Sequence, residues 1–518
     1  MTAQKTVLSN NARIAKNTLF LYLRMLLVLI VNLFTVRIVL KALGAEDYGL
    51  FNVVGGVVTM FSFLTGTLSS ASLRFFSYSL GKNDYESLKR YFTTTFWCYV
   101  VFGAIILVLA ESIGLWFVQN KLTIPEGRYN AVLWVYQFAI LSFIFHILSV
   151  PYNSLLISHE RMHVYAYVGI VEVLLKLVIA FLLMQLSGDK LILYAILLCL
   201  STGLITLFYV VYDRYHFKES KVSFQWNKTV FREILSYSGW SMVGAISGVC
   251  RGQGINIILN MFFGPVVNTA RAVAFQIEHA ISGFVTNFYN AVRPQITKYY
   301  SSGNKTEMMK LVFRSSRFSY YLMLFLSLPI LYETNFVLAL WLGDVPDYTL
   351  IFTRLVIIYS LFETLSHPLQ TTISATGKIK WMQIVTGGLL ILNLPVSWVF
   401  LKHNYPPEIT MYVSIVISII AQMVRIYFSN KLAGMPVGAY FKNVLGSVVF
   451  VTFLSLIIPM LIYLLMKPGL IRFFVLSVLS CIGSGIIILY CGMTLAERKK
   501  IFSIIKNKTN SILYKKHF

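Results

Sequence analysis

Residues 17–42 read NTLFLYLRMLLVLIVNLFTVRIVLKA, an apolar run with few charged residues. As a helix, a run of about 20 apolar residues is long enough to cross the roughly 30 Å hydrocarbon core of a bilayer. Similar runs recur along the whole chain, in which 57% of the residues are hydrophobic and only 12% are charged. A soluble domain of this size needs far more polar surface. The sequence therefore predicts an all-α polytopic membrane protein.

Fourteen transmembrane helices are predicted. They cover about residues 17–42, 49–73, 92–118, 129–152, 163–186, 190–212, 234–262, 266–292, 311–333, 349–372, 380–401, 409–429, 440–466 and 470–493. Most of the 44 Lys and Arg residues fall in alternate loops, on the same side as both ends of the chain. Cytoplasmic loops carry an excess of positive charge, so both termini are predicted to be cytoplasmic. The net charge of +24 follows this topology and does not indicate nucleic-acid binding.

A weak internal repeat predicts how the helices are arranged. PYNSLLISHERMHVYAYV, from Pro151, aligns with PLQTTISATGKIKWMQIV, from Pro368, and Gly81–Phe92 aligns with Gly303–Phe313. Six helices in each copy give both copies the same orientation in the membrane. This predicts two pseudo-symmetric six-helix lobes around a central cavity, plus two extra C-terminal helices. The predicted divisions are residues 1–213 and 234–430 for the lobes, 214–233 for a cytoplasmic linker, 431–493 for the extra helices and 494–518 for a basic cytoplasmic tail.

Several functional classes are disfavoured by what the sequence lacks. The five cysteines form no CxxC pair, and no cluster of ligand residues has the spacing of a metal site, so no metal is predicted. ATP-driven transport is disfavoured because the chain has no GxxxxGK[ST] loop. The predicted external loops are short, which argues against a membrane polymerase or ligase with its chemistry in a large external loop.

Two segments resemble a known transporter family. They are VRIVLKALGAEDYGLFNVVGGVVTMFSFLTGTLSSASLRFFSYSLGKND, from Val36, and PYNSLLISHERMHVYAYVGIVE, from Pro151. The chain resembles the polysaccharide-unit (Wzx-type, O-antigen or capsule) flippases of the multidrug/oligosaccharidyl-lipid/polysaccharide exporter superfamily. The resemblance implies a non-enzymatic flippase that moves an undecaprenyl-pyrophosphate-linked oligosaccharide from the inner to the outer leaflet of the bacterial cytoplasmic membrane. It also implies contact with membrane lipids, alternating access driven by an H⁺ or Na⁺ gradient without a cofactor, and work with a polymerase and a chain-length regulator.

Two other members of the same superfamily are alternatives. A lipid II flippase would share the fourteen helices and an arginine-lined cavity. A multidrug exporter generally has an acidic residue in its first helix, whereas residues 17–41 contain no Asp or Glu. The quoted segments favour the polysaccharide branch.

Charged residues inside predicted helices are candidate functional residues, since a charge near the bilayer centre costs about 2.5–3.5 kcal/mol on insertion scales. The substrate-binding candidates are Arg24, Arg251, Arg271, Arg354, Glu172 and Lys176. A guanidinium stays charged and binds phosphate oxygens in pairs, which suits a pyrophosphate. The alternative for Arg24 and Arg354 is that their side chains extend to the headgroups. Glu172 and Lys176 are four residues apart, and the favoured interpretation is an internal ion pair.

Three other residues are candidates for ion coupling. They are Glu278, which precedes His279, and Glu363 and His367, which are one helical turn apart. A buried carboxylate can carry a coupling proton or hold Na⁺. The alternative is a neutral, hydrogen-bonded pair. His146 is predicted to be a packed histidine without a transport role.

Overall fold

The structure, a computed structural model, describes residues 2–159, 161–223, 227–499 and 503, and for residues 2–24 and a few isolated helical positions the backbone alone. Every regular element of this described part is a helix. The α-helices are α1 Thr2–Thr59, α2 Ser62–Gly81, α3 Tyr85–Leu109, α4 Leu115–Lys121, α5 Tyr129–Ser158, α6 Met162–Gln185, α7 Lys190–His216, α8 Lys228–Val249, α9 Ile255–Phe263, α10 Pro265–Ser301, α11 Lys305–Tyr332, α12 Thr334–Leu342, α13 Thr349–Thr364, α14 Ser366–Ala375, α15 Lys380–Lys402, α16 Ile409–Ala433, α17 Val437–Tyr440, α18 Ser447–Leu465 and α19 Leu470–Ile487. The predicted basic tail lies mostly outside the described residues.

Ten helical segments of the described chain are long and apolar enough to cross a membrane, and three of them join neighbouring helices: α3 with α4, α13 with α14, and α17 with α18. The pair α11 and α12, bent by 79°, makes an eleventh if it is one span. The prediction of an all-α multi-pass membrane protein is confirmed, but the count of fourteen spans is not reproduced. The helices α2, α8 and α10 overlap predicted spans but are not among these ten, because their mean hydropathy is lower. Ser, Thr, Gly and charged residues make them too polar. Such helices cross a bilayer only where protein or water covers them.

The helix α1 is kinked at Gly44, and this turn and the turn at Gly264 between α9 and α10 lie at corresponding places of the repeat and share one backbone geometry. Gly44 has φ 79° and ψ 172°, and Gly264 has φ 77° and ψ −174°. This region of φ and ψ is open almost only to glycine, because a Cβ would meet the backbone. The separation of the two glycines agrees with the predicted repeat to within a few residues.

A second pair of turns refines the alignment of the repeat. Asn83 and Gly303 have φ 54° and 72°. The next residues, Asp84 and Asn304, each accept a hydrogen bond from the backbone N–H three positions on and so cap α3 and α11. Gly303 therefore corresponds to Asn83, and the predicted pairing of Gly303 with Gly81 is corrected by two positions.

The chain divides into two compact units. The first unit comprises Met1–Gln276, Asp344–Thr349 and Gln383–Val413, and the second comprises Ile277–Gly343, Leu350–Met382 and Ser414–Phe518. These units differ from the halves of the repeat, and the predicted lobe boundaries stay a prediction.

The core of the first unit lies among α1, α3, α5 and α7. The buried Tyr136 of α5 donates a hydrogen bond to the carbonyl of Ala110 at 2.7 Å. Ala110 begins a π-helical turn, Ala110–Gly114, in which the regular helix bonds are interrupted. A Cβ on Gly114 would lie 2.2 Å from the Tyr136 hydroxyl oxygen. Glycine at this position therefore lets the phenol reach the carbonyl that the turn exposes.

Arg128 joins three helix ends of the first unit. Its Nε donates to Asp47 Oδ1 at 2.8 Å, its Nη1 donates to Asp189 Oδ2 at 2.8 Å, and its Nη2 contacts both carboxylates. Asp189 also caps α7. Burial acts to lower the pKa of Arg128, but the two carboxylates outweigh it and raise that pKa above its usual value. The two carboxylates therefore keep the guanidinium of Arg128 charged and hold it at the start of α5.

The turns at Gly44 and Gly264 also meet within the first unit. Thr269 Oγ1 donates to the carbonyl of Ala45 at 2.5 Å. A Cβ on Gly49 would lie 1.9 Å from the carbonyl oxygen of Pro265, so the two backbones touch there. Only glycine fits at this contact unless the backbone moves.

We expect Gly49→Val to separate these backbones and to lower the free energy of unfolding by about 1–3 kcal/mol, the usual cost of overpacking. Thermal melting in detergent and hydrogen exchange across the Gly44 turn measure the effect. Gly55→Val is the matched control, because Gly55 lies in the same helix and no described atom would lie within 4 Å of its new Cβ. Equal melting temperatures of the two variants would contradict the expectation.

Two ion pairs join the last helices to α11 in the second unit. In the middle of α11, Arg317 Nη2 donates to both oxygens of Glu497 at 2.9 and 3.0 Å. At the C-terminal end of α11, Arg472 Nη2 donates to Glu333 Oε2 at 2.9 Å, and its guanidinium lies 4.5 Å from the ring centre of Tyr463. The helices predicted as a C-terminal addition are therefore an integral part of this unit.

Candidate functional site

Arg251 lies at a break in its predicted helix. The chain runs from α8 into a π-helical turn, Cys250–Gly254, before α9 begins. Arg251 is half-buried, and a Cβ on the neighbouring Gly248 or Gly252 would meet no described atom within 4 Å. Single π-helical turns occur often at functional sites, because they re-aim the side chains on either side. The geometry is compatible with a ligand-facing Arg251, and the side chain of Arg24 lies outside the described residues.

Arg271 and Arg354 make different kinds of contact. The guanidinium of Arg271, which is half-buried, lies 4.6 Å from the ring centre of Phe275, one turn further along α10. Such cation–π contacts stabilise a cation that has left water. Arg354 Nε donates to Thr334 Oγ1 at 3.2 Å, beside the bend between α11 and α12. Arg354 thus supports the bend, and its predicted role in substrate binding stays a prediction.

The ion pair predicted between Glu172 and Lys176 is confirmed. Lys176 Nζ lies 2.7 Å from Glu172 Oε1, and the side chains are 40% and 45% exposed. The structure pairs them within α6. His146 is exposed, so the prediction of a packed histidine is wrong.

Glu278 is a buried carboxylate of the second unit with two partners. It is 8% exposed, accepts a hydrogen bond from Ser360 Oγ at 2.8 Å, and has Oε2 at 3.0 Å from His279 Nδ1. The side chain of His279 is 71% exposed. An imidazole in contact with a buried carboxylate can take up its proton and return it.

Glu363 lies beside a helix break that the sequence did not predict. The predicted helix at residues 349–372 forms one span, Thr349–Ala375, but its hydrogen bonding is irregular at Leu365, between α13 and α14, where φ −70° and ψ −18° stay helical. We refer to this irregularity as the break. Glu363 Oε1 accepts a hydrogen bond from Ser418 Oγ at 2.6 Å on one side of the break. On the other side, the carbonyl of His367 accepts one from Tyr289 at 2.7 Å. The two coupling candidates therefore flank the break instead of sharing a regular turn.

The polar face of α16 completes this cluster, and sequence reasoning missed it. Arg425 is 3% exposed and donates from Nη1 to Ser366 Oγ at 2.7 Å. Gln422 donates from Nε2 to the carbonyl of Leu365 at 3.2 Å, inside the break. With Ser418, these residues lie at positions i, i+4 and i+7 of one helix, a polar stripe in an apolar sequence. That spacing in the sequence could have predicted a polar face on this helix.

Among the described residues, no three His, Cys, Asp or Glu side chains come together in a way that could hold a metal ion. Glu278 and Glu363 each interact with a hydroxyl group instead.

Two family models match the chain. Residues 14–300 match the model described as polysaccharide biosynthesis protein, and residues 255–399 match the model described as MatE. The chain is also similar to the uncharacterized membrane protein EpsK of Bacillus subtilis (strain 168), with 22% identity over 279 residues. That match covers 52% of this chain and 54% of EpsK, so the chain spans about half the length of this relative.

Solved structures of two transporter types have a similar fold. The lipid II flippase MurJ in an inward closed conformation superimposes with a TM-score of 0.69 at 10% identity, covering 91% of this chain and 98% of MurJ. An inward-facing multidrug resistance MATE family transporter of the MOP superfamily gives a TM-score of 0.61 at 13% identity, covering 80% and 95% of the two chains. At such identities the likeness shows the fold alone.

Proposed function

Because this chain belongs to the polysaccharide biosynthesis protein family, we propose that it is a flippase for an undecaprenyl-pyrophosphate-linked oligosaccharide repeat unit. It moves this unit from the inner to the outer leaflet of the bacterial cytoplasmic membrane and catalyses no covalent reaction. The family match over residues 14–300 carries the proposal. The fold shared with a lipid II flippase supports a lipid-linked substrate.

The proposed orientation has both termini in the cytoplasm. The distribution of the 44 Lys and Arg residues among alternate loops supports it. The substrate would then meet the protein from the side on which the linker between the repeats lies.

Arginines are proposed to bind the pyrophosphate. Arg24 and Arg251 belong to corresponding helices of the two repeats, and Arg271 belongs to α10. Each guanidinium can donate two parallel hydrogen bonds to phosphate oxygens. The stacking of Arg271 on Phe275 orients its guanidinium before a ligand arrives. The lipid tail stays in the bilayer while alternating access exposes the glycan on the other side.

Ion coupling is proposed for the carboxylates of the second unit. Protonation of Glu363, or binding of Na⁺ to it, changes its hydrogen bond with Ser418 beside the break between α13 and α14. A helix whose hydrogen bonding is already irregular at one residue is a place where a bend can form. Glu278, bonded to Ser360 of α13, can act on the same helix.

The test is flipping by the purified chain in proteoliposomes. Lipid-pyrophosphate-linked oligosaccharide is incorporated into the vesicles, and an added glycan-modifying enzyme reports how much of it reaches the outer leaflet. We expect protein-dependent movement that is faster with an imposed H⁺ or Na⁺ gradient. Absence of movement with folded protein would overturn the proposal.

A parallel series with lipid II separates the two lipid-linked substrates. The similarity to the lipid II flippase fold is the reason to include it. Faster movement of lipid II than of the oligosaccharide-linked lipid would assign the chain to that substrate instead.

A further inference from the structure

Asp213 is a fully buried acid that the proposed transport mechanism does not use. It lies in the last turn of α7 and is 0% exposed. Tyr209 and Phe217, four residues before and after it, belong to a buried apolar cluster that also contains Tyr152. Residues four apart share one helix face, so the carboxyl of Asp213 lies on the face that packs into this cluster.

Neither carboxyl oxygen of Asp213 has a hydrogen-bond partner among the described residues. Its electrostatic neighbours are another acid, Glu219, and the hydroxyl of Tyr152, which the adjacent Arg214 also contacts. An ionised carboxylate buried without a cation or a donor is costly by several kcal/mol. A carboxyl group that holds a proton avoids this cost.

The neighbouring Glu219 is bound to a histidine. His159, which follows α5, has Nε2 at 2.6 Å from Glu219 Oε1, and its ring stacks on Phe217 with centroids 4.1 Å apart. Burial acts to raise the pKa of Glu219, but hydrogen bonds from His159 and from its own backbone outweigh it and hold that pKa below its usual value. Glu219 is therefore an ionised acid, and its charge acts on the carboxyl of Asp213.

Two further contacts hold the residues after α7 and the start of α8 against α3. Trp97 Nε1 donates to the carbonyl of Ser223 at 3.0 Å, and the hydroxyl of Tyr91 donates to Glu233 at 2.8 Å. Tyr91 and Trp97 both belong to α3, so Ser223 and the first turns of α8 are held against that helix.

We propose that Asp213, Glu219 and His159 form a proton-binding site at the end of α7, in which Asp213 carries the proton. Loss of this proton places two carboxylates side by side in an apolar setting. Their repulsion loosens the turn Lys218–Ser220 and the contact between His159 and Phe217, so proton release frees the linker between the repeats. The site is separate from Glu278 and Glu363, and the proposal does not depend on which molecule the chain transports.

The first measurement compares thermal melting of the intact protein and of Asp213→Asn in detergent, from about pH 5 to about pH 9. An amide has nearly the shape of a protonated carboxyl, so the variant should fold and melt like the wild type at acidic pH. Folded wild type holds a proton that the unfolded chain releases, so its melting temperature should fall below that of Asp213→Asn as the pH rises. Parallel curves, or a variant that is less stable at every pH, would overturn the proposal.

Infrared difference spectra provide a readout independent of stability. The wild type minus Asp213→Asn spectrum should contain a protonated-carboxyl band at neutral pH, and that band should disappear at alkaline pH. Glu219→Gln removes the neighbouring negative charge, so Asp213 should release its proton, and the band should disappear, at a lower pH than in the wild type. Disappearance at the same pH in both proteins would exclude Glu219 from the site and overturn the proposal. A spectrum without the band at neutral pH would show an ionised Asp213 and end the proposal.

Discussion

Transport should fall by at least about 100-fold in a protein that carries both Arg24→Gln and Arg251→Gln. A hydrogen bond to a charged group contributes about 1.5–3 kcal/mol, or roughly 10- to 100-fold for each guanidinium that holds the pyrophosphate. Glutamine keeps much of the side-chain length and removes the charge. The proteoliposome flipping rate is the measurement, with the amount of inserted protein determined in the same vesicles.

Arg232→Gln is the matched control for this double variant. Arg232 is an exposed arginine in the first turns of α8, the helix that leads to Arg251. The control should flip substrate at the wild-type rate. Unchanged flipping in the double variant would remove both arginines from the binding site, whatever the substrate.

The sequence was sufficient to predict a polytopic membrane protein, because the length of the apolar runs alone decides this class. The apolar runs in α1, α5 and α7 are long enough to span a bilayer, and their length and composition need no tertiary information. The spans of α2 and α10 were less predictable. Their Ser, Thr and charged residues become stable in a membrane only through cover that the rest of the chain provides.

The candidate site was predictable only where partners are neighbours in sequence. Glu172 and Lys176 are four residues apart, and helix geometry alone brings them together. Ser360 is 82 residues from Glu278, and Ser418 is 55 residues from Glu363. Such pairings depend on which helices pack together, and local periodicity does not contain that information.

The partners of two buried arginines were also not predictable from the sequence. Arg317 and Arg425 lie near the ends of predicted helices, where a basic residue usually belongs to the charge excess of a cytoplasmic loop. The structure buries both, with Glu497 and Ser366 as their partners. The distribution of charges predicts the topology, but it does not show which basic residues near helix ends are buried in ion pairs or hydrogen bonds.

Replacing Arg472 by methionine should lower the free energy of unfolding of the second unit by about 3–5 kcal/mol, the cost of leaving one member of a buried ion pair alone. Glu333 is 2% exposed and would lose its guanidinium partner. Glu333 also lies at the bend between α11 and α12, so an unpaired carboxylate there should loosen the bend. Denaturation followed by helix-sensitive spectroscopy in detergent is the measurement.

Two variants separate the ion pair from general effects of the substitution. Lys467→Met removes an exposed cation between α18 and α19 and should leave the stability almost unchanged. The double variant Glu333→Gln with Arg472→Met has no buried charge to leave unpaired, so it should be more stable than Arg472→Met alone. If Arg472→Met is as stable as Lys467→Met, the pair does not hold the last helices to α11, and packing of α18 and α19 against α11 must do so.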